Sequence, residues 1–242
     1  MTLMPLDPNR TAIFLDVDGT LLEIVNDPAS VVAEPHLVEL LLSIESRLKG
    51  ALALVSGRTL DEIDRIFAPA QFTAAGAHGT EMRLPSGDVE TAIAKPLPRS
   101  ATTALESFTT ANPGLLVEIK DSGAALHYRQ APDYEAVARQ LVESLLVELG
   151  DEYRLIGGKM VFEIAPRCRD KGVAIRNFMA DPVFAGREPV FLGDDVTDED
   201  GFAVINDLGG ISVRVGDARD TAASYSMPDT VSVLGWLRSA LA

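Results

Sequence analysis

Apolar runs and amphipathic stretches alternate along the first third of the chain. TAIFLDV (residues 11–17) is apolar almost throughout, which predicts a strand buried on both faces. EPHLVELLLSIESRLK (34–49) has helical periodicity, with Pro35 near its start and Gly50 past its end. ALALVSG (51–57) reads as a second buried strand and FTAAGAHG (72–79) as a third. Between them TLDEIDRIF (59–67) predicts a short helix, with Thr59 and Glu62 at the spacing of a capping box. Continuous apolar strands separated by helices imply a parallel sheet covered on both faces.

The pattern then changes. MRLPSGDVE (82–90) predicts a hairpin about Ser86-Gly87. From about residue 95 to 164 the order is helix, strand, strand, helix, strand, strand, and the strands alternate polar with apolar residues. GLLVEIKD and GAALHYR form the first pair. The second pair, YRLIGG and KMVFEIA, is expected to turn at Gly157-Gly158. Strand–helix alternation resumes with DKGVAIRNFMA, EPVFLGDD, TDEDGFAVIND and GISVRVG, and TVSVLGWLRSALA predicts a closing helix. The expected fold is α/β: a Rossmann-like parallel-sheet core in two chain segments (1–94 and 166–242), with a smaller α/β cap domain inserted at 95–165. Hinges are expected near Lys95 and Ala165.

Polar residues stand at the carboxyl ends of three predicted core strands: Asp16 and Asp18 after the first, Ser56 after ALALV, and Asp194 and Asp195 after PVFLG. Ligands of open parallel sheets bind outside those ends, so the three places can meet in one crevice. Lys171, opening a helix, can reach it too. Clustered carboxylates repel one another, and a divalent cation is their natural neutraliser. All-oxygen ligation favours Mg²⁺ over zinc. A carboxylate beside such a cation can attack a phosphoryl group and form an acyl phosphate that water cleaves. The i, i+2 pair suits this, with Asp16 as nucleophile and Asp18 as acid, then base. Gly19 lets the chain bend over the site, and Thr20 is expected to orient Asp18 or its loop.

FLDVDGTLL, VSGR, DKG and FLGDDVTDED resemble, in order, the four motifs of the haloacid dehalogenase-like phosphotransferase superfamily. The resemblance implies that the carboxylates of Asp16 and Asp194 and the main-chain carbonyl of Asp18 hold Mg²⁺. It implies that Ser56 and Lys171 hold phosphoryl oxygens, and that Asp195 and Asp198 orient metal waters and Lys171.

The inserted segment would choose the leaving group. Period-two spacing places Glu118 with Lys120, His127 with Arg129, and Lys159 with Glu163 on shared strand faces. Such a mixed lining suits a polyhydroxylated ligand, and equally suits exposed cross-strand ion pairs. GAHGTE, VEIKDSGAALHYR, GGKMVFEI and FLGDDVTDED together resemble the trehalose-6-phosphate phosphatase family, from Ile13 to about Gly216. That resemblance implies sugar contacts by Glu118, Lys120 and Glu163. Arg58, His78, Arg129 and Lys159 are further substrate-binding candidates. Phosphatases of other sugar phosphates, a sugar phosphomutase and a non-catalytic sugar-phosphate sensor are the rival readings.

Composition narrows the partners. The 242 residues carry 21 Lys and Arg against 36 Asp and Glu, a formal net charge of −15. Such a surface repels nucleic acid and anionic membranes. The expected partner is a small phosphorylated disaccharide. One cysteine, Cys168, excludes an intramolecular disulfide and suits a reducing compartment. No signal peptide or membrane span is read, so a cytoplasmic monomer is expected.

Overall fold

The computed structural model describes residues 6–25, 30–91, 96–120, 122–158, 160–166, 170–217 and 220–240. Lys95, Lys159 and Cys168, singled out above, lie outside the described residues. The chain divides into two compact units, Met1–Ala92 with Asp170–Ala242, and Ile93–Arg169.

The first unit is built on a sheet that has eight strands among the described residues. In chain order they are β1 (Thr11–Leu15), β2 (Leu52–Val55), β3 (Ala74–Gly76), β4 (Glu81–Arg83), β5 (Val89–Thr91), β10 (Glu188–Gly193), β11 (Ile211–Val215) and β12 (Tyr225–Met227), the numbers β6 to β9 belonging to the second unit. The spatial order is β12-β11-β10-β1-β2-β3-β4-β5. Ladders from β12 to β3 are parallel, and the β4–β5 hairpin extends the edge antiparallel.

Helix α1 (Pro35–Arg47) carries the chain from β1 to β2, and α2 (Leu60–Ile66) carries it on to β3. The Thr59–Glu62 capping box forms as its spacing predicts. On the other side of β1, α5 (Lys171–Ala180) precedes β10, α6 (Glu199–Asp207) links β10 to β11, and α7 (Thr230–Ser239) closes the chain. Right-handed crossovers leaving β1 in one direction and β10 in the other put α1 and α6 on opposite faces. Accordingly α1 packs beside α7, and α5 beside α6. Every residue of β1 is buried, and Phe14 stacks with Phe178 and Phe184. Each such side chain contributes about 2 kcal/mol by burial, a rigid floor beneath the strand ends.

The sequence pattern misses β12, three residues of mixed burial with too few apolar positions to register. FTAAGAHG is strand only over Ala74–Gly76; Ala77–Gly79 turn sharply, with Ala77 and His78 at positive φ.

The second unit is a four-stranded antiparallel sheet in the order β6-β7-β9-β8. Its strands are β6 (Leu116–Ile119), β7 (Ala124–His127), β8 (Tyr153–Gly158) and β9 (Val161–Pro166). Helices α3 (Arg99–Ala111) and α4 (Glu135–Leu149) pack with it around Leu105, Leu126, Val142, Phe162 and Ile164. Register places Glu118 opposite Ala125, and Ala125 opposite Glu163. These three therefore share a face, opposite the one that buries Leu126, Phe162 and Ile164. The expected turn at Gly157-Gly158 is corrected: both glycines belong to β8, and the reversal follows them, with Met160 at φ 65°. Of the two, only Gly158 is crowded: a Cβ there would lie 2.8 Å from Val161 Cγ1. Among the described residues no helix is long and apolar enough to cross a membrane.

Candidate functional site

Parallel register brings the motif residues of the first unit together. Leu15 of β1 pairs with Leu192 of β10 and Leu54 of β2, so the residues after each emerge at one end of the sheet. The ladder continues one step into the site, where the Asp16 amide donates to the Leu192 carbonyl at 3.0 Å. Lys171 enters from the first turn of α5, whose N-cap Asp170 accepts from the Val173 amide at 2.7 Å.

Lys171 is the centre of the arrangement. Its Nζ donates to Asp16 Oδ1 and to Asp198 Oδ1, both at 2.7 Å. All three side chains are buried, at 3% exposure or less for Lys171 and Asp198. The other oxygen of Asp198 accepts from the Asp194 and Asp195 amides at 3.0 and 2.9 Å. Asp198 thus ties the loop after β10 to the lysine. Asp195 and Asp198 also complete a reciprocal capping box over the 3-10 turn Val196–Asp198.

Thr20 was expected to orient Asp18 or its loop. Its buried hydroxyl instead donates to Asp16 Oδ2 at 3.3 Å, because the turn after β1 folds back over the strand end. Asp18 is held by Arg58 through both carboxylate oxygens, at 2.6 and 2.7 Å, a fork-to-fork pair that fixes its orientation. Ser56 is buried, and its Oγ accepts from the Arg58 amide at 3.2 Å. His78 packs its ring against Gly57.

Oxygens of Asp16, Asp194 and Asp198 lie within 4.8 Å of one another. Burial pushes the Asp16 carboxyl well above its ordinary value; Lys171 opposes that, while Asp198 and Asp194 add to it. Burial, Asp198 and Asp195 push Asp194 up to about 6. Burial disfavours the Lys171 charge, yet Asp16 and Asp198 outweigh it and hold the ammonium above its usual value. A cluster whose carboxylates resist ionisation is a cluster short of positive charge, and its all-oxygen donor set fits a metal ion. Asp198 already serves the lysine and two amides.

Gly19 lies at φ 79°, and a Cβ there would fall 2.1 Å from Asp194 Oδ2. Gly19→Ala is expected to destabilise the protein by about 2 kcal/mol or more, read as a lower melting temperature. An unchanged melting temperature would mean that neither the left-handed backbone nor Asp194 resists a side chain there.

In the second unit Lys120 donates to Glu163 Oε1 at 2.8 Å, and His127 lies 3.6 Å from Glu118. Lys120 sits just past β6, and Arg129 is exposed beyond β7. Glu118, Lys120, His127 and Glu163 thus form one partly exposed polar patch on this sheet.

Two residues near the first site escaped the sequence reading. Arg214 of β11 is buried in register with Gly193, and its signal is a lone charge in an otherwise buried strand. Glu81, the last residue of GAHGTE, accepts from the Leu60 amide at 2.8 Å, a contact to a helix start that the stretch itself does not announce.

A family model described as trehalose-phosphatase matches residues 14–230. The chain is 39% identical over 242 residues to a protein of Sinorhizobium fredii named "Probable trehalose-phosphate phosphatase", covering 100% of this chain and 91% of the relative. It is 40% identical over 229 residues to the trehalose-6-phosphate phosphatase of Escherichia coli, covering 94% and 85%. Among solved structures, a trehalose-6-phosphate phosphatase of Aspergillus fumigatus superposes with a TM-score of 0.72 at 26% identity, covering 98% of each chain.

Proposed function

The chain belongs to the trehalose-phosphatase family, and from that premise we propose that it hydrolyses trehalose 6-phosphate through an aspartyl phosphate on Asp16. The observation that carries the reading is the buried Lys171 bridging Asp16 and Asp198 at a parallel strand end. A lysine so placed aligns the nucleophile and leaves a cation where phosphoryl charge develops.

An Asp16 oxygen bonds phosphorus as the bond to the sugar oxygen breaks. Asp18 gives a proton to the departing oxygen. It then takes one from the water that cleaves the acyl phosphate, which returns Asp16 to its carboxylate. Ser56 and Lys171 hold phosphoryl oxygens. Arg58, which forks onto both oxygens of Asp18, must release one of them before that carboxyl can carry the proton. We assign the metal ion as Mg²⁺, held by Asp16, Asp194 and the Asp18 main-chain carbonyl, with Asp195 among the groups that orient its waters. When bound, it neutralises clustered carboxylate and phosphoryl charge. In the second unit we assign Glu118, Lys120 and Glu163 to the sugar hydroxyls.

Phosphate release from trehalose 6-phosphate, sucrose 6-phosphate, glucose 6-phosphate and p-nitrophenyl phosphate, with Mg²⁺ or EDTA, tests the assignment. Trehalose 6-phosphate is expected to lead, and EDTA to stop turnover. Equal or faster turnover of another sugar phosphate would sink the substrate assignment. Glu118→Ala and Lys120→Ala are expected to lower kcat/KM for trehalose 6-phosphate about tenfold or more each, through lost hydrogen bonds to the sugar. Turnover of p-nitrophenyl phosphate should hardly change. A uniform loss on both substrates would remove these residues from sugar recognition.

Proton competition supplies a second test. A carboxyl raised from 3.8 to about 6 stabilises the cation-free fold below its unfolded value, and that contribution is lost as pH rises through about 6. Mg²⁺ reverses the loss by favouring the ionised form. It is therefore expected to raise the melting temperature more at about pH 7.5 than at about pH 5. Equal shifts at both pH values would count against Asp194 as a ligand.

A further inference from the structure

The tight turn at residues 76–81, GAHGTE, wraps the segment that carries Ser56 and Arg58. The β2–β3 ladder runs on past both strand ends. The Ser56 amide donates to the Ala75 carbonyl at 2.9 Å, the His78 amide to the Ser56 carbonyl at 3.0 Å, and the Ala77 amide to the Arg58 carbonyl at 2.7 Å. Side chains close the remaining gaps. A Cβ on Gly57 would lie 2.7 Å from His78 Cε1 and 2.8 Å from Nε2, so the imidazole rests directly on the Gly57 backbone. Glu81 Oε2 accepts from the amide of Leu60, the first residue of α2, at 2.8 Å. Gly76 is just as close: a Cβ there would lie 2.9 Å from the Arg58 carbonyl oxygen.

The backbone supplies a second line of evidence. Ala77 and His78 both occupy the left-handed region, at φ 46° and 55°, where glycine is the inexpensive residue. Strain of this kind persists only where surrounding contacts over-determine it, and here they converge on residues 56–60. An imidazole at the strained position has a purpose glycine cannot serve, because it fills the space above Gly57.

We propose that His78 and Glu81 are positioning residues that clamp the segment from Ser56 to Leu60. The clamp sets the Ser56 hydroxyl toward the phosphoryl group. This rests on the reading above, in which Ser56 holds a phosphoryl oxygen. It assigns His78 a role through Gly57 in place of a sugar contact. Since every phosphate ester presents the same phosphoryl group, loosening the clamp must weaken all substrates alike.

The test compares His78→Asn, Glu81→Ala and Glu81→Gln in the full chain. Asparagine tolerates the left-handed backbone while removing the ring, and glutamine retains an acceptor oxygen for the Leu60 amide. Turnover of trehalose 6-phosphate and p-nitrophenyl phosphate is measured, together with inhibition by vanadate. His78→Asn and Glu81→Ala are expected to lower kcat on both substrates by a common factor of about ten or more, and to weaken vanadate inhibition in parallel. Glu81→Gln should recover most of the loss. Loss confined to trehalose 6-phosphate would overturn the clamp and return His78 to the sugar. Undiminished turnover in both His78→Asn and Glu81→Ala, or Glu81→Gln as impaired as Glu81→Ala, would overturn it as well. If His78→Asn does not fold, the Glu81 pair decides. A Ser56→Ala enzyme with wild-type turnover and vanadate inhibition would instead remove the phosphoryl role of Ser56, so the two failures are distinguishable.

Discussion

Asp16→Asn is expected to reduce phosphate release by roughly 10⁴-fold or more while the fold is kept. The amide has the shape of the carboxylate, and its oxygen can still accept from Thr20 or Lys171. It lacks the charge needed to attack phosphorus, so no acyl phosphate forms. Stability should hold or rise in the absence of metal. Burial and two neighbouring carboxylates already resist ionisation of Asp16, and the substitution removes one member of that repelling set. Lys171 keeps its 2.7 Å contact with Asp198. Steady-state phosphate release and thermal unfolding of the same preparation decide the matter. A folded Asn variant that turns over at the wild-type rate would end the covalent route.

Lys171→Met has the largest expected effect on stability. It leaves Asp16 and Asp198 buried without the ammonium that both contact at 2.7 Å. Removing one partner of a buried ionic set typically costs about 3–5 kcal/mol. The loss should be greater at neutral pH than in acid. Asp16 and Asp194, both raised above their ordinary values, can escape the penalty by taking up protons as pH falls. Activity should disappear with the lysine. Combining Lys171→Met with Asp16→Asn should recover part of the stability, because the second change removes a charge the first leaves uncompensated. That non-additivity is the signature of direct coupling. A Lys171→Met protein as stable as wild type at neutral pH would show that water reaches the cluster and screens it.

Much of the fold was legible in the chain itself. Strands such as β1 and β10 are buried on both faces, so they are apolar almost end to end and stand out in any window. The short helix α2 declared itself through local chemistry, since a capping box needs only Thr59 and Glu62 three residues apart. Strand β12 did not, because three residues of mixed burial carry no period. The turn before β9 also misled: two glycines suggest a bend, yet here they lie in a strand, and Met160 takes the positive φ.

The candidate site divides in the same way. Motif order and strand context in the sequence pointed Asp16, Asp18, Ser56, Lys171 and Asp194 toward one strand-end crevice, since each closely follows a strand or opens a helix. Which oxygen meets which donor was decided only when the chain closed on itself. Thr20 turns to Asp16 rather than Asp18, Arg58 forks onto Asp18 across 40 residues, and Glu81 reaches the first amide of α2 from a strand 21 residues on. A sequence window records what a residue is and what its near neighbours are. Charge–charge contacts and amide donors separated by whole crossovers depend on register and packing, and these exist only in the folded protein.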